Sequence, residues 1–365
     1  MGSLNVLGVS AGQGALLFPF MKEPGFNVLA NVEPRAVFHT PKDEQWKLNF
    51  KNIPFYRDFS ELDSLTSTVD IIVSSPDCGA SSIMRLSKVK ELGNPEKNKS
   101  LNLTLQAIQK YQPKVFLLEN LPRLVNLLPE EYLSEALSTY RLVYHQRSVS
   151  DYGNSQVSRK RLVIIGIKRG CKKYYNLFDE VFKVNTPKLT RNILEVAQYK
   201  GNIDNHMIPL DKKLAMYDYR KLPDTTTLTV KQIHKLWKKD FKLEKKWPIK
   251  TAKMSTLPGV YRLENDKAPL TLRPADRQFR PDGWPLGILD FKNIMGFPKE
   301  FKIYIEQGDR YLYCLNKARY TLAKGSVFEI GIWFLACLKG LKLNPKKVKK
   351  KPKEVKGIPK KGTLF

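Results

Sequence analysis

Leu4-Asn5-Val6-Leu7-Gly8-Val9 runs straight into Ser10-Ala11-Gly12-Gln13-Gly14, and this junction decides how the chain is read. The first six residues are too apolar for one face to meet water, which marks a strand covered on both faces. The next five are small but for Gln13, so the backbone can approach a ligand where a helix begins. Working outward, similar apolar runs recur at residues 27–32, 69–73, 114–118 and 162–167, and the stretches 15–22, 35–49 and 101–111 between them have helical character. This alternation predicts an α/β fold, a Rossmann-like doubly wound and mostly parallel sheet with helices on both faces. In such sheets ligands gather outside the carboxyl ends of the strands, so the chemistry is expected just after each run.

Glu33 closes the second run, about twenty residues after the small-residue loop, where an acidic side chain can accept hydrogen bonds from a ribose. A dinucleotide fingerprint would need a third glycine at position 17, which is Leu17, and a phosphate loop would need a Lys-Ser/Thr pair. A mononucleoside-type cofactor is therefore favoured over NAD. The third run leads into Ser74-Ser75-Pro76-Asp77-Cys78 and a Gly-, Ser- and Lys-rich stretch to residue 100. A cysteine there is exposed as a nucleophile must be, the alternative being a buried, inert thiol. The fourth run ends in Glu119-Asn120-Leu121-Pro122. Arg159 and Arg161 stand two apart at the start of the fifth run, on one side of a strand, where a phosphate grip and a structural salt bridge are both open.

The 365 residues exceed one ordinary domain and leave room for a second, smaller unit. Hydrophobic residues at 42% and charged residues at 27% suit a folded, soluble protein. No apolar run has the length of a membrane span, and the four scattered cysteines and four histidines support neither a disulfide framework nor a metal site. A reducing, intracellular setting is the expectation. The net charge of +28 is uneven: residues 168–284 carry 26 Lys or Arg against 13 Asp or Glu, and residues 342–365 carry 10 Lys against one Glu. A balanced body with a basic segment and a basic tail fits a polyanionic partner.

Taken in order, these motifs resemble the cytosine carbon-5 DNA methyltransferase family across about residues 1–340. Ala11, Gly12, Gln13 and Gly14 are similar to its cofactor loop, Glu33 to its ribose carboxylate, and Asp58-Phe59 to its adenine-contacting Asp. Ser75-Pro76-Asp77-Cys78 resembles the Pro-Pro-Cys nucleophile motif and Glu119-Asn120 the Glu-Asn-Val motif. Asp151-Tyr152-Gly153 with Gln156, Arg159 and Arg161 resembles Gln-x-Arg-x-Arg. Met295-Gly296-Phe297-Pro298 is like Gln-Gly-Phe-Pro, and residues 320–327, with Lys324 and Ser326, line up with the final motif. Four departures stand out: Asp77 for the second Pro, Gly79 for Gln, one extra residue between Gln156 and Arg159, and Lys324-Gly325 for Gly-Asn. A carboxylate beside Cys78 disfavours its thiolate.

The resemblance implies S-adenosyl-L-methionine as cofactor, held by residues 11–14, Glu33, Asp58, Phe59, Pro76, Lys324 and Ser326. It implies a covalent Cys78 adduct at cytosine carbon-6, Glu119 as the proton donor at the ring nitrogen with a carboxyl pKa raised by its surroundings, and Arg159 and Arg161 beside a flipped base. Lys324 next to a sulfonium calls for an anion: the cofactor's own carboxylate, a DNA phosphate, or the extra carboxylate of carboxy-S-adenosyl-L-methionine, which would yield carboxymethylcytosine. A catalytically inactive DNA-binding relative and an RNA cytosine methyltransferase are the other readings. The domains expected are a catalytic and cofactor-binding domain at 1–169, a basic target-recognition domain at 170–284, a return to the catalytic domain at 285–341 and a disordered Lys-rich tail at 342–365. Lys235, Lys238, Lys239, Lys245 and Lys246 are candidates for DNA phosphates, and Arg273, Arg277 and Arg280 for phosphates or guanine edges. The partner expected is double-stranded DNA, with no membrane and no metal, bound by a monomer. The location expected is the cytoplasm of a bacterial or phage-infected cell, or a nucleus if the lysine run at 345–351 serves as an import signal.

Overall fold

A computed structural model of the chain describes residues 3–33, 42–77, 98–128, 130–181, 260–262, 268–269, 271–272, 277–279, 286, 288–304, 322–323 and 325–340. The junction that opens the sequence is the middle of a sheet. Strand β1 (Leu4–Val9) pairs in parallel with β2 (Phe26–Val32) on one side and β4 (Ile71–Ser74) on the other. The short β3 (Phe55–Tyr56) extends the sheet beyond β2, and β5 (Val115–Asn120) extends it beyond β4, both in parallel.

The strand beyond β5 reverses direction. The sheet order is β3-β2-β1-β4-β5-β7-β6, with β7 (Lys160–Lys168) antiparallel to both β5 and β6 (Tyr140–Ser148). The fifth apolar run is thus a strand running against the others. The cause is β6, an edge strand whose Arg141, His145, Gln146 and Arg147 hide it from an apolar-run reading, and which joins β7 through a short connection that permits only antiparallel pairing.

Period-two alternation divides each central strand between two cores. In β5, Val115 and Leu117 join one cluster while Phe116 and Leu118 join the other. The first face is covered by α1 (Phe18–Met21), by Trp46 and Phe50 of α2 (Lys42–Phe50), and later by residues that arrive from far along the chain. The second is covered by α3 (Lys99–Tyr111), whose Leu101, Leu105 and Ile108 form one buried stripe, and by Leu124 and Leu133 from α4 (Arg123–Leu127) and α5 (Glu130–Ala136). Asn98 caps α3 by accepting from the Leu101 amide at 3.2 Å, and Gln112 ends it in the left-handed conformation ahead of Pro113. The helical stretch expected at 15–22 is shorter because residues 14–17 form turns on the Gly14 carbonyl.

The distant contributors are α6 (Ile288–Ile294) and α7 (Phe328–Leu338). Helix α7 is apolar nearly all round, and Ile330, Trp333 and Phe334 are buried against the first face. Tyr174 and Phe178 are buried in the same cluster, so the core continues past residue 169. A separate parallel pair, β8 (Val260–Arg262) and β9 (Arg277–Phe279), lies in the basic interval.

Candidate active site

Register along the sheet puts the sequence motifs at one level. Val9 lies opposite Val32 and Ser74, and Ser74 opposite Leu118. The residues that follow are therefore neighbours at a single edge: Glu33 after β2, the Ser10–Gly14 loop after β1, Ser75 to Asp77 after β4, and Glu119 at the end of β5.

The loop after β1 is built for tight backbone. Ser10, Gly12 and Gly14 all take positive φ, at 52°, 60° and 85°. A Cβ on Gly14 would come within 2.4 Å of the Phe50 ring, whereas one on Gly12 would meet nothing within 4 Å, so Gly14 is required by packing and Gly12 by its backbone conformation. Glu33 Oε2 accepts from the Gly12 amide at 2.9 Å. Asn31 brackets the same turn, its amide oxygen accepting from Ala11 N–H and its amide nitrogen donating to the Gly12 carbonyl, each at 3.4 Å. Buried in this loop, Ser10 Oγ and both amide atoms of Gln13 have no hydrogen-bond partner among the described residues. Unsatisfied buried polar atoms are costly and call for a partner. A polar nucleoside-type cofactor supplies one, so the residues present fit S-adenosylmethionine.

Beyond β3, Glu33 N–H donates to the Tyr56 carbonyl, which brings Asp58 to the same edge. Asp58 Oδ1 accepts from the Ser60 hydroxyl at 2.7 Å and the Ser60 amide at 2.8 Å, capping a 3-10 turn; these bonds hold its carboxyl below the usual value. Phe59, half-buried, has Lys110 over its ring at 5.3 Å.

The turn that leads to Cys78 is held from two sides. Pro76 C=O accepts from Asn120 Nδ2 at 3.0 Å, and Asp77 N–H donates to Ser100 Oγ at 2.8 Å at the start of α3. Ser75 Oγ donates to Glu119 Oε2 at 2.7 Å. Arg161 Nε lies 2.8 Å from Glu119 Oε1, off the N–H direction, so this contact is ionic rather than a directed hydrogen bond. Glu119 is buried, and Arg147 lies opposite Arg161 on β6.

The two arginines do different work. Arg159, buried, donates to the carbonyls of Leu272, Ala323 and Gly325, which pins the closing segment next to the buried Ser326. Residue 159 precedes β7, so it is free of strand geometry and turns inward, while Arg161 faces Glu119. Gln156 reinforces the junction: its Oε1 accepts from Leu272 N–H at 2.9 Å and its Nε2 donates to Asn154 Oδ1 at 3.1 Å. Asn154 Nδ2 donates to both oxygens of Glu329 on α7 at 3.0 Å.

Cys78, Lys324, Lys235, Lys238, Lys239, Lys245, Lys246, Arg273 and Arg280 lie outside the described residues, and Arg277 is described only as backbone in β9. The carboxylated-donor expectation rested on Lys324 alone. Among the described residues no group of His, Cys, Asp or Glu could hold a metal ion, and no helix is long and apolar enough to cross a membrane.

The family model for C-5 cytosine-specific DNA methylases matches residues 9–316, which takes in every element of this edge. The chain belongs to that family. Among methylase relatives, Type II methyltransferase M1.HgaI of Avibacterium volantium is 27% identical over 223 residues, 54% of this chain and 57% of its own. Type II methyltransferase M.Bpa9945I of Bacillus paralicheniformis is 22% identical over 145 residues, 36% of this chain and 33% of its own. The matches thus span about half or less of those relatives. Among solved structures, a DNA modification methyltransferase encoded within an E. coli prophage superposes with a TM-score of 0.62 at 18% identity, covering 93% of this chain and 99% of its own. Entamoeba histolytica EhMeth superposes at 0.56 and 15%, covering 93% and 99%. The methylase fold is therefore the architecture described above.

Sequence reading missed Asn31 as a site residue, and took Ser75 only as part of the nucleophile motif, without its bond to Glu119. Asn31 sits inside an apolar strand, where an amide is unusual and was the available signal. The pairing of Ser75 carried no signal, because it comes from lying beside Glu119 on the next strand.

Proposed function

We propose that the chain is a DNA cytosine-5 methyltransferase that uses S-adenosylmethionine and a covalent Cys78 adduct. One observation carries the reading: Ser75 and Asn120 tie the turn preceding Cys78 to the Glu119 motif, and β4, which leads into that turn, pairs with the strand that leads into the cofactor loop. Cytosine carbon-5 is too weak a nucleophile to act unaided, so a thiolate must first add to carbon-6. Cys78 supplies the sulfur, and Glu119 supplies a proton to the ring nitrogen as charge develops there. Arg161, beside Glu119, orients the base, and Arg147 and Arg161 together make the rim attractive to phosphate. When bound, S-adenosylmethionine supplies the electrophilic methyl group; the Gly12 and Gln13 loop, Glu33 and Asp58 hold it. The basic interval and tail supply phosphate contacts to double-stranded DNA.

The test is incubation with S-adenosylmethionine and either DNA or RNA, followed by digestion and mass spectrometry of the nucleosides. Methylcytosine from DNA is expected. Cys78→Ala abolishes turnover and leaves DNA binding intact, and a 5-fluorocytosine duplex traps the wild-type protein covalently. Turnover by Cys78→Ala at the wild-type rate, or product from RNA alone, overturns the reading.

A further inference from the structure

We propose that Ser75 is a positioning residue for the proton donor, and that its hydroxyl makes Oε2 of Glu119 the oxygen that carries the proton. The inference rests on the methyltransferase reading and names an atom within it. The two oxygens of Glu119 have unlike neighbours. Oε1 faces Arg161 Nε at 2.8 Å, a group that is always charged and has no acceptor capacity, so a proton on Oε1 would point at a cation. Oε2 faces the Ser75 hydroxyl at 2.7 Å, which donates to a bare oxygen and turns aside when that oxygen is protonated. Of the two, only Oε2 tolerates both protonation states without loss.

Register explains why a serine can do this. Ser74 pairs with Leu118 in parallel, so Ser75 and Glu119 stand side by side on adjacent strands, and Ser75 is three residues before Cys78 in sequence. The hydroxyl therefore ties the donor's position to the segment that leads into Cys78. Asn120 Nδ2 on the Pro76 carbonyl adds a second tie between the same two strand ends. As Cys78 sulfur bonds to carbon-6, the carbon-5–carbon-6 pair shifts toward carbon-4 and the carbon-4–nitrogen pair moves onto the ring nitrogen. That nitrogen takes the Oε2 proton, which leaves a carboxylate held by Arg161 and Ser75. Charge balances at each stage.

The experiment compares the full-length wild type with Ser75→Ala and Ser75→Thr. Ser75→Ala should lower kcat about ten- to a hundredfold, the worth of one hydrogen bond to a charged group, with KM for DNA unchanged. Ser75→Thr keeps the hydroxyl and should restore most of the rate. Independently of turnover, the infrared band of the Glu119 carboxyl, isolated as a difference against Glu119→Gln, should move in Ser75→Ala and return in Ser75→Thr. Equal rates and an unmoved band in Ser75→Ala, or a Thr variant as slow as the Ala one, overturns the role of Ser75 while wild-type methylation stands. A wild type that modifies no cytosine, with the band still moving, instead overturns the methyltransferase reading itself.

Discussion

Arg159 shows how much one side chain can organise. Its guanidinium reaches two carbonyls of the closing segment and one at Leu272, joining three stretches far apart in sequence. Arg159→Ala leaves those carbonyls buried and unpaired, at a cost of roughly 3–5 kcal/mol in urea unfolding. Arg159→Lys should recover only part of it, since an ammonium cannot reproduce the planar fork. Sequence had offered phosphate or salt bridge for this residue. Its carbonyl partners were illegible because they lie more than a hundred residues downstream and carry no side-chain signature.

At the scale of elements, the contact between α7 and the cofactor loop sets the tolerance of the site. A Cβ on Gly331 would lie 2.7 Å from the Leu16 carbonyl, a backbone atom that cannot yield cheaply. Gly331→Ala gains helix propensity of about 1 kcal/mol, yet overpacking costs about 1–3 kcal/mol. A net loss in thermal stability is expected, together with weaker S-adenosylmethionine binding by calorimetry, because Leu16 lies within the turn that Gly14 begins. Wild-type stability and affinity in that variant would show that α7 is not seated against the loop. The expectation was that residues 285–341 return to the catalytic domain; the seat on Leu16 was not legible, since apolar residues all round specify burial without a direction.

For the molecule as a whole, Glu329 links stability to pH. Burial pushes its carboxyl up to about 7 from 4.5, against the pull of the Asn154 amide. Between those values the unfolded chain has lost its proton while the folded chain retains it, so this group makes stability fall as pH rises through the window and level off above it. Glu329→Gln should remove that slope and raise stability at pH 8 by ~1–3 kcal/mol, read from urea midpoints at pH 5 and pH 8. A variant whose slope matches the wild type would sink the assignment. The surplus charge acts at the same scale: removing residues 342–365, with ten Lys against one Glu, should weaken binding alike for all DNA sequences and reduce the salt slope.

What the sequence by itself determined is the alternating plan and the edge on which chemistry falls. Apolar runs such as residues 114–118, short and alternating with helical stretches, read as strands covered on both faces, and the residues after them then share one rim. The tertiary structure decided three further things. It reversed β7, because an edge strand with polar residues gives no apolar run to read. It assigned Arg159 and Arg161 to different partners, because one precedes its strand and the other lies within it. It paired Ser75 with Glu119, because contact between parallel strands depends on register, which residue spacing along one chain does not contain.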